Sequence, residues 1–439
     1  MKWKKLLAPH RLGCADAADF LPQRSPFHQD FDRIVFSGSF RRLQDKTQVF
    51  PLSRTDSVRT RLTHSIETSS IGRSLGRLAG SFLCEKFDTG GAQPSDVGAI
   101  VAAAALAHDI GNPPLGHPGE EAIRHWFTHS PAAAELRRSM TPEEAADIER
   151  YEGNAQGFRV LTRLEMDNRY GGMQLTSPTL ATLVKYPASS TGGLKKFNFF
   201  RSEREFFAEV ADHCGLEKVG EECWQRHPLS FLLEAADDIA YLIVDFEDAH
   251  RLGLVPYADL ERCFLAVIAE REVEEQLPKI PTAQLRAEFL RAKAIGSLVD
   301  QASRAFAECH DGLICGSQTL PLLDLIPARD ALHEIRRISV ERIYNHRRIA
   351  EVVAAGFELV SGLLDIFVPC AEEIAAEQAG GPPASFRSRR FCALLPQRDP
   401  GAAGSGSGYR RLLRILDYLT SMTDDGAFAL YQKLKGISL

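Results

Sequence analysis

The stretch from Ala105 to His117, Ala-Leu-Ala-His-Asp-Ile-Gly-Asn-Pro-Pro-Leu-Gly-His, constrains the fold more than any other part of the chain. The apolar run from Val97 to Ala107 leads into it and predicts a buried helix. The adjacent pair His108 and Asp109 places an imidazole and a carboxylate at the end of that helix, where both need a partner. Two interpretations stay open. A divalent metal ion binds both groups, or Asp109 caps the next turn and His108 is a hydrogen-bonded core histidine.

The rest of the chain predicts a mainly α protein. Apolar residues recur at helical spacing along most of the 439 residues, and strand-like alternation is rare. The clearest break is the Gly/Ser/Arg-rich segment 379–408, whose composition predicts a long flexible loop. This length suits one large or two ordinary domains.

Charge and cysteine content exclude several classes of protein. A formal net charge of −6 provides no overall basic field for nucleic acid, so an anionic ligand must be held by local Arg and Lys. The nine cysteines are scattered without metal-type Cys-x-x-Cys spacing, which indicates reduced thiols and a cytoplasmic location. We expect that no apolar run reaches the ~18–20 residues of a membrane span. We therefore expect no membrane partner.

Two further segments supply groups that suit a metal ion. His64 lies in a helix predicted from Val58 to Leu83, and Asp237 lies in an apolar helix that carries five acids from Glu234 to Glu247. Acids that face a core need a cation. Two imidazoles and two carboxylates suit Mn, Fe, Mg or Zn and leave positions open for water and a phosphate oxygen. The candidate ligands are His64, His108, Asp109 and Asp237.

Five sequence blocks narrow the interpretation: 40–49 (Phe-Arg-Arg-Leu-Gln-Asp-Lys-Thr-Gln-Val), 61–65, 108–120, 152–159 and 234–241. In this order they resemble the bacterial deoxyguanosine triphosphate triphosphohydrolases (dGTPases) and related dNTPases, which are HD-domain metal phosphohydrolases. The resemblance covers residues 1–350 and implies an HD-type helical core with its metal site within 60–250, joined by additional helices. Residues 351–439 are then a C-terminal helical region that contains the flexible loop 379–408.

The resemblance implies that a dNTP, dGTP above all, is hydrolysed to a deoxynucleoside and inorganic tripolyphosphate by attack of water on the α-phosphorus. It implies a divalent metal cofactor, Mg or Mn, on the four candidate ligands. Asp237 is preferred to Asp238 because the family's ligand lies four residues before a Tyr, which is Tyr241 in this chain.

The same resemblance implies roles for the remaining residues. His117 is the implied general acid/base, and Glu120 holds or activates it, since an imidazole titrates near neutral pH. Arg61, Lys185 and Tyr241 are implied ligands of the triphosphate, whose charges need several donors. Tyr241 under C2′ of the sugar would also exclude a ribose hydroxyl. The predicted catalytic residues are His117, Glu120 and Glu152, and the predicted substrate-binding residues are Gln48, Arg61, Asn154, Lys185, Tyr241 and Asp245, with Gln48 and Asp245 at the 3′-hydroxyl.

Two alternatives stay open. The first is another HD phosphohydrolase, such as a nucleotidase or a phosphodiesterase, which leaves the blocks 40–49 and 152–159 unexplained. The second is a non-catalytic relative that binds nucleotides or single-stranded DNA, through the arginines and aromatic residues of segment 386–391, namely Arg387, Arg389, Arg390, Phe386 and Phe391. By resemblance alone, a dNTP effector and a hexameric or other homo-oligomeric assembly are further expectations.

Overall fold

A computed structural model of the chain describes residues 1–14, 24–48, 59–166, 171–396 and 406–437. Within these residues the protein is mainly α, as predicted. The helices up to residue 214 are α1 (Trp3–Leu6), α2 (Pro26–Val35), α3 (Gly38–Arg41), α4 (Arg61–Lys86), α5 (Pro94–Ala107), α6 (His117–His129), α7 (Pro131–Arg138), α8 (Pro142–Glu149), α9 (Gly153–Arg159), α10 (Ser177–Leu183) and α11 (Arg204–Cys214). The later helices are α12 (Leu229–Ile239), α13 (Asp245–Arg251), α14 (Tyr257–Ile268), α15 (Arg271–Gln276), α16 (Ala283–Glu308), α17 (His310–Cys315), α18 (Arg329–Ser339), α19 (Arg347–Gln378), α20 (Phe386–Cys392), α21 (Gly408–Thr420) and α22 (Asp424–Leu434). Strands β1 (Lys218–Gly220) and β2 (Cys223–Trp224) pair antiparallel.

Helices α4 and α5 pack together at the centre of the fold. Every residue of α5 from Val97 to Ala107 is buried, which confirms that prediction. Thr60 caps α4, because its hydroxyl accepts from the Thr63 N–H and the Thr63 hydroxyl accepts from the Thr60 N–H. A Cβ on Gly76 of α4 would lie 2.8 Å from the Val97 carbonyl oxygen, so this glycine permits the close approach. Val58, the predicted first residue of this helix, lies outside the described residues.

Buried apolar side chains form two clusters. The first cluster runs from Trp3 to Ile343 and includes α4, α5, α12 and α16. The second cluster joins α6 and the segment 197–200 to α19 and α21. The C-terminal helices therefore pack directly on residues before 350, and the domain boundary at that position stays a prediction.

The long helix α19 is more apolar than the sequence analysis anticipated. By length and composition its stretch Ile349–Gln378 could cross a membrane, with a mean hydropathy of 1.8 over the most apolar window. Its residues Leu359, Leu363 and Phe367 are buried in the second cluster, as in the core helix of a globular protein.

The predicted loop 379–408 is only partly irregular. Residues 386–392 form α20, which packs on α19 through a 2.7 Å hydrogen bond from the Ser388 hydroxyl to Glu373. Residues 397–405 of the predicted loop lie outside the described residues.

Candidate active site

Side chains from α4, α12 and the residue after α5 converge on one point. Nε2 of His64 lies 3.1 Å from Oδ1 of Asp237, and Nε2 of His108 lies 3.5 Å from the same oxygen. One ligand atom from each residue lies within 4.8 Å of the other two. Nδ1 of His108 donates to the Ala105 carbonyl at 2.6 Å, so Nε2 is the nitrogen that presents its lone pair to the cluster. This mixed N/O donor set fits a divalent cation.

Asp109 lies beside this cluster. Its Oδ2 is 3.6 Å from Nε2 of His108 and accepts from Nη1 of Arg61 at 2.8 Å. Its other oxygen accepts from Nδ2 of Asn112. Burial opposes ionisation, but the charges of Arg61, His108 and His64 hold the pKa of Asp109 well below its usual range. Asp109 is thus a carboxylate at the edge of the cluster, and its role as a fourth ligand stays a prediction.

The cluster has a strong preference for positive charge. Burial lowers the pKa of His64, but the hydrogen bond and charge of Asp237, together with nearby carboxylates, prevail and raise it to about 9. Burial likewise opposes ionisation of Asp237, yet the two histidines lower its pKa. Ionised, buried carboxylates that favour a proton on a neighbouring imidazole offer the same electrostatic environment to a metal ion.

The turn 111–116 connects this cluster to His117. Gly116 has a φ of 64°, and a Cβ there would lie 2.2 Å from Nη2 of Arg61. A Cβ on Gly111 would lie 2.0 Å from the backbone nitrogen of Gly157. The blocks 108–120 and 152–159 therefore touch backbone to backbone, which explains why both contain glycine.

His117 begins α6, and its side chain is 76% exposed. Its Nδ1 lies 3.1 Å from Oε2 of Glu120, whose other oxygen accepts from the Gly153 N–H at 2.8 Å. Burial works against the charge of Glu120, but the bond from His117 and the Gly153 N–H lower its pKa. Because the ionised carboxylate engages Nδ1, Nε2 of His117 is the atom available to a ligand.

Glu152 and Asn154 extend this polar region. Nδ2 of Asn154 donates to Oε2 of Glu152 at 3.3 Å, and Nζ of Lys196 lies 3.8 Å from the same oxygen. Arg124 links the two acids, since its side chain lies 3.7 Å from Glu152 and 4.0 Å from Glu120. Burial raises the pKa of Glu152. The structure thus brings the three predicted catalytic residues into one network.

Two of the predicted substrate-binding residues, Lys185 and Tyr241, contact other side chains of the protein. Nζ of Lys185 pairs with Glu234 at 2.7 Å. Tyr241 stacks on Tyr344, with ring centroids 5.8 Å apart and planes 6° apart. Both tyrosines lie in π-helical turns, 240–244 and 340–344, so the stack could not be predicted from regular helical spacing.

Two predicted ligands have buried oxygens without a hydrogen-bond partner among the described residues. These atoms are Oε1 of Gln48 and Oδ2 of Asp245. Burial raises the pKa of Asp245 to about 7. Unpaired buried acceptors are rare, so each is a candidate partner for a ligand hydroxyl.

The prediction that the acids from Glu234 to Glu247 need a cation is met for two of them by Lys and Arg side chains. Glu234 pairs with Lys185 and with Arg226, each at 2.7 Å. Glu247 pairs with Arg291 at 2.7 Å. Protein cations therefore compensate the two outer acids, and Asp237 is the one that joins the metal-ligand cluster.

The sequence analysis missed how the C-terminal helices hold the turn 111–116. Nζ of Lys46 donates to the carbonyls of Asn112 and Thr420 at 2.6 and 2.7 Å. The Asp424 carboxylate accepts from the N–H groups of Thr47 and Leu115, both at 2.8 Å. We call these four bonds the C-terminal clamp. Lys46 stands in block 40–49, which was the available signal, whereas no motif marks Asp424.

Block 152–159 also anchors the C-terminal helices. Arg159 donates two 2.8 Å hydrogen bonds to Asp417 of α21 and one of 2.6 Å to Glu203. Beside this contact lies a cavity of about 730 Å³, lined by basic residues that include Arg42, Arg163 and Arg410. None of the residues of the metal-ligand cluster lines this cavity.

Comparison with known proteins agrees with this geometry. Residues 61–160 match the model of the HD domain family. A deoxyguanosinetriphosphate triphosphohydrolase-like protein from Synechocystis sp. is 40% identical over 458 residues, which cover all of both chains. A protein of the same name from Pseudomonas aeruginosa is 38% identical over all of this chain and 99% of its own. A deoxyguanosinetriphosphate triphosphohydrolase from Yersinia pseudotuberculosis is 32% identical over 78% of this chain and 76% of its own. The chain therefore belongs to the deoxyguanosinetriphosphate triphosphohydrolase family of HD-domain proteins.

Proposed function

We propose that the protein hydrolyses a dNTP, with dGTP preferred, to a deoxynucleoside and inorganic tripolyphosphate. The observation that carries this proposal is the convergence of His64, His108 and Asp237, with His117 at the far end of one short turn. The names of the relatives support dGTP as the substrate. Two imidazoles with carboxylate oxygens suit Mn, and Mg is the other proposed ion.

His64, His108, Asp109 and Asp237 would hold the divalent cation, which supplies Lewis-acid polarisation of an α-phosphate oxygen when bound. Water attacks the α-phosphorus, the bond from phosphorus to the 5′-oxygen breaks, and that oxygen leaves with a proton. His117 would deliver the proton from Nε2, because Glu120 holds its Nδ1. Glu152 would tune this pair through Arg124, which contacts both acids.

Substrate binding follows from the groups that lack or can exchange partners. Nε of Arg61 is buried without a hydrogen-bond partner among the described residues, so it can donate to a phosphate oxygen. Lys185 would release Glu234 and bind the triphosphate instead. Asn154 would also contact the substrate. Gln48 and Asp245 would bind the 3′-hydroxyl through their unpaired oxygens.

Tyr241 would select against ribonucleotides, since its ring is fixed by the stack on Tyr344. Tyr241→Ala should then reduce the preference for dGTP over GTP. Tyr257→Ala offers a matched control, because that tyrosine is also half-buried but lies on α14. A selectivity that is equal in wild type and in Tyr241→Ala would count against this role.

The decisive experiment separates the products. All four dNTPs are incubated singly and in pairs with Mg²⁺, Mn²⁺ or neither in H₂¹⁸O, and the products are analysed by mass spectrometry. Attack on the α-phosphorus places ¹⁸O in tripolyphosphate, whereas attack on the sugar carbon places it in the deoxynucleoside. His108→Ala should remove both activity and bound metal, while His125→Ala, an exposed histidine of α6, should retain both. Orthophosphate from a monophosphate would indicate a nucleotidase, and no product from any dNTP would indicate a non-catalytic binder.

The proposal extends to a cytoplasmic location, supported by nine cysteines that form no disulfide. The basic cavity of about 730 Å³ supports an anionic partner, either a dNTP effector or single-stranded DNA. Arg389 of the predicted DNA-binding segment lines this cavity, although it also pairs with Glu377. The hexameric assembly stays a prediction from resemblance, to be tested by light scattering.

A further inference from the structure

A second group of metal-type ligands lies on α11 and the N-terminal segment. It consists of His10, Glu209 and His213, and one ligand atom from each lies within 4.8 Å of the other two. None of these residues belongs to the cluster on α4, α5 and α12. Glu209 and His213 are four residues apart on α11, so they project from one face of that helix.

The backbone around His10 is fixed before any ion binds. The Ser177 N–H donates to the His10 carbonyl at 2.7 Å, and the Leu12 N–H donates to the Leu175 carbonyl at 3.2 Å. Between these bonds, Arg11 pairs antiparallel with Thr176. The position of His10 relative to α10 is therefore set by the fold.

Two of the three ligand side chains, those of His10 and Glu209, make a supporting hydrogen bond. Nδ1 of His10 lies 3.2 Å from the Ser177 hydroxyl, which leaves Nε2 for an ion. The Gly13 N–H donates to one oxygen of Glu209 at 3.5 Å. Metal-binding residues commonly have such outer hydrogen bonds, which fix the ring and the carboxylate in place.

The rings of His10 and His213 lie face to face, with centroids 3.2 Å apart and planes 11° apart, so protonation of both would place two positive charges together. The lone pairs of parallel rings do not meet at one point. One ion would therefore bind both nitrogens when the His213 ring turns out of the stack. His213 also lies in the last turn of α11, where the helix dipole favours positive charge.

We propose that His10, Glu209 and His213 form a second, peripheral site for a divalent transition-metal ion of the zinc type. Two imidazoles and one carboxylate are a known zinc donor set, with a fourth position left to water. All three side chains are half-buried, which gives an ion access from solvent. The ion would join the segment around His10 to α11 and stabilise the fold at a place separate from the proposed chemistry.

The metal content of the full-length protein tests this proposal. Wild type and His213→Gln are loaded with Zn²⁺, dialysed, and measured by plasma mass spectrometry. We expect His213→Gln to retain one equivalent of zinc per chain fewer than wild type, irrespective of how much zinc the cluster at His108 binds. His129→Gln is the matched control, because His129 stacks on His125 at 4.2 Å on α6 without belonging to any cluster of metal-type ligands among the described residues. Equal zinc in wild type and His213→Gln would overturn the proposal.

Stability gives a readout independent of activity. In a His108→Ala background, Zn²⁺ should raise the Tm by several degrees, and addition of Glu209→Gln should abolish that shift. Glu209→Gln preserves shape, and circular dichroism establishes that it is folded. A Tm that Zn²⁺ leaves unchanged, or a shift that survives Glu209→Gln, would overturn the proposal. Zinc that dialysis removes from wild type would mean adventitious binding only and would also overturn it.

Discussion

The C-terminal clamp predicts that one carboxylate far from the metal-ligand cluster controls both stability and activity. In Asp424→Asn the side chain keeps one acceptor oxygen, and its second carboxylate oxygen is replaced by an amide NH₂ group, a donor that faces a backbone N–H donor. Asp424 is 4% exposed, so water cannot replace the lost acceptor. A hydrogen bond to a charged group contributes about 1.5–3 kcal/mol. We therefore expect Asp424→Asn to lower the free energy of unfolding by about 2–3 kcal/mol.

Activity should fall as well, because Asp424 accepts from the backbone of Leu115, two residues before His117, and the substitution disrupts the carboxylate that holds it. Asp424 also favours the charged form of Lys46 against burial, so the other half of the clamp weakens too. On the proposed function, kcat for dGTP should fall while KM changes little, since the triphosphate ligands are untouched.

Asp425→Asn is the control for this experiment. Asp425 is exposed in the same first turn of α22, so it has a similar relation to the helix dipole but makes no contact with the turn 111–116. Its effect on stability should stay below ~0.5 kcal/mol. Urea unfolding and steady-state kinetics measure both variants. Equal stability and equal kcat for the two variants would refute the reasoning.

Three further predictions concern stability and thiol chemistry. Gly111→Ala should destabilise the protein by about 3 kcal/mol or more, because the new Cβ would lie 2.0 Å from the backbone nitrogen of Gly157. Gly296→Ala in α16 should stabilise it by about 0.5–1 kcal/mol, because no described atom lies within 4 Å of the new Cβ, and thermal melts of both variants check this. Burial lowers the pKa of His227 to about 4, below the ~6.5 of the unfolded chain, so the unfolded state takes up the proton first as the pH falls. The free energy of unfolding should therefore drop by ~3 kcal/mol as the pH falls from ~6.5 to about 4, and an equally steep pH profile of stability for His227→Gln would contradict this. Cys315 is the exposed thiol, and hydrogen bonds involving Ser317 lower its pKa, so a maleimide should modify it first, and Cys315→Ser should remove that fast phase.

The sequence predicted best where one physical requirement acts on a continuous stretch. The burial of residues 97–107 followed from unbroken apolar composition, and the mainly α class followed from helical spacing. Joining His64, His108 and Asp237 needed the resemblance, because three separate helices supply them and no local spacing relates them.

The C-terminal clamp could not be predicted because three of its four hydrogen bonds join residues more than 300 positions apart. Lys46 and Thr420 are 374 residues apart, and a lysine that donates to carbonyls has no sequence signature. Helix α20 was missed for a different reason. The Gly/Pro-rich flanks of segment 379–408 dominate its composition, although residues 386–392 contain no glycine or proline and follow a capping Ser385.

The C-terminal clamp also sets an order of events during synthesis. Leu115 and Asp424 are separated by 309 residues, which at about 5–20 residues per second is a delay of roughly 15–60 s. Every residue of the metal-ligand cluster has left the ribosome before α22 exists, but the turn that carries His117 lacks its last support. On the proposed function, a growing chain should therefore be able to take up metal before it can turn over substrate.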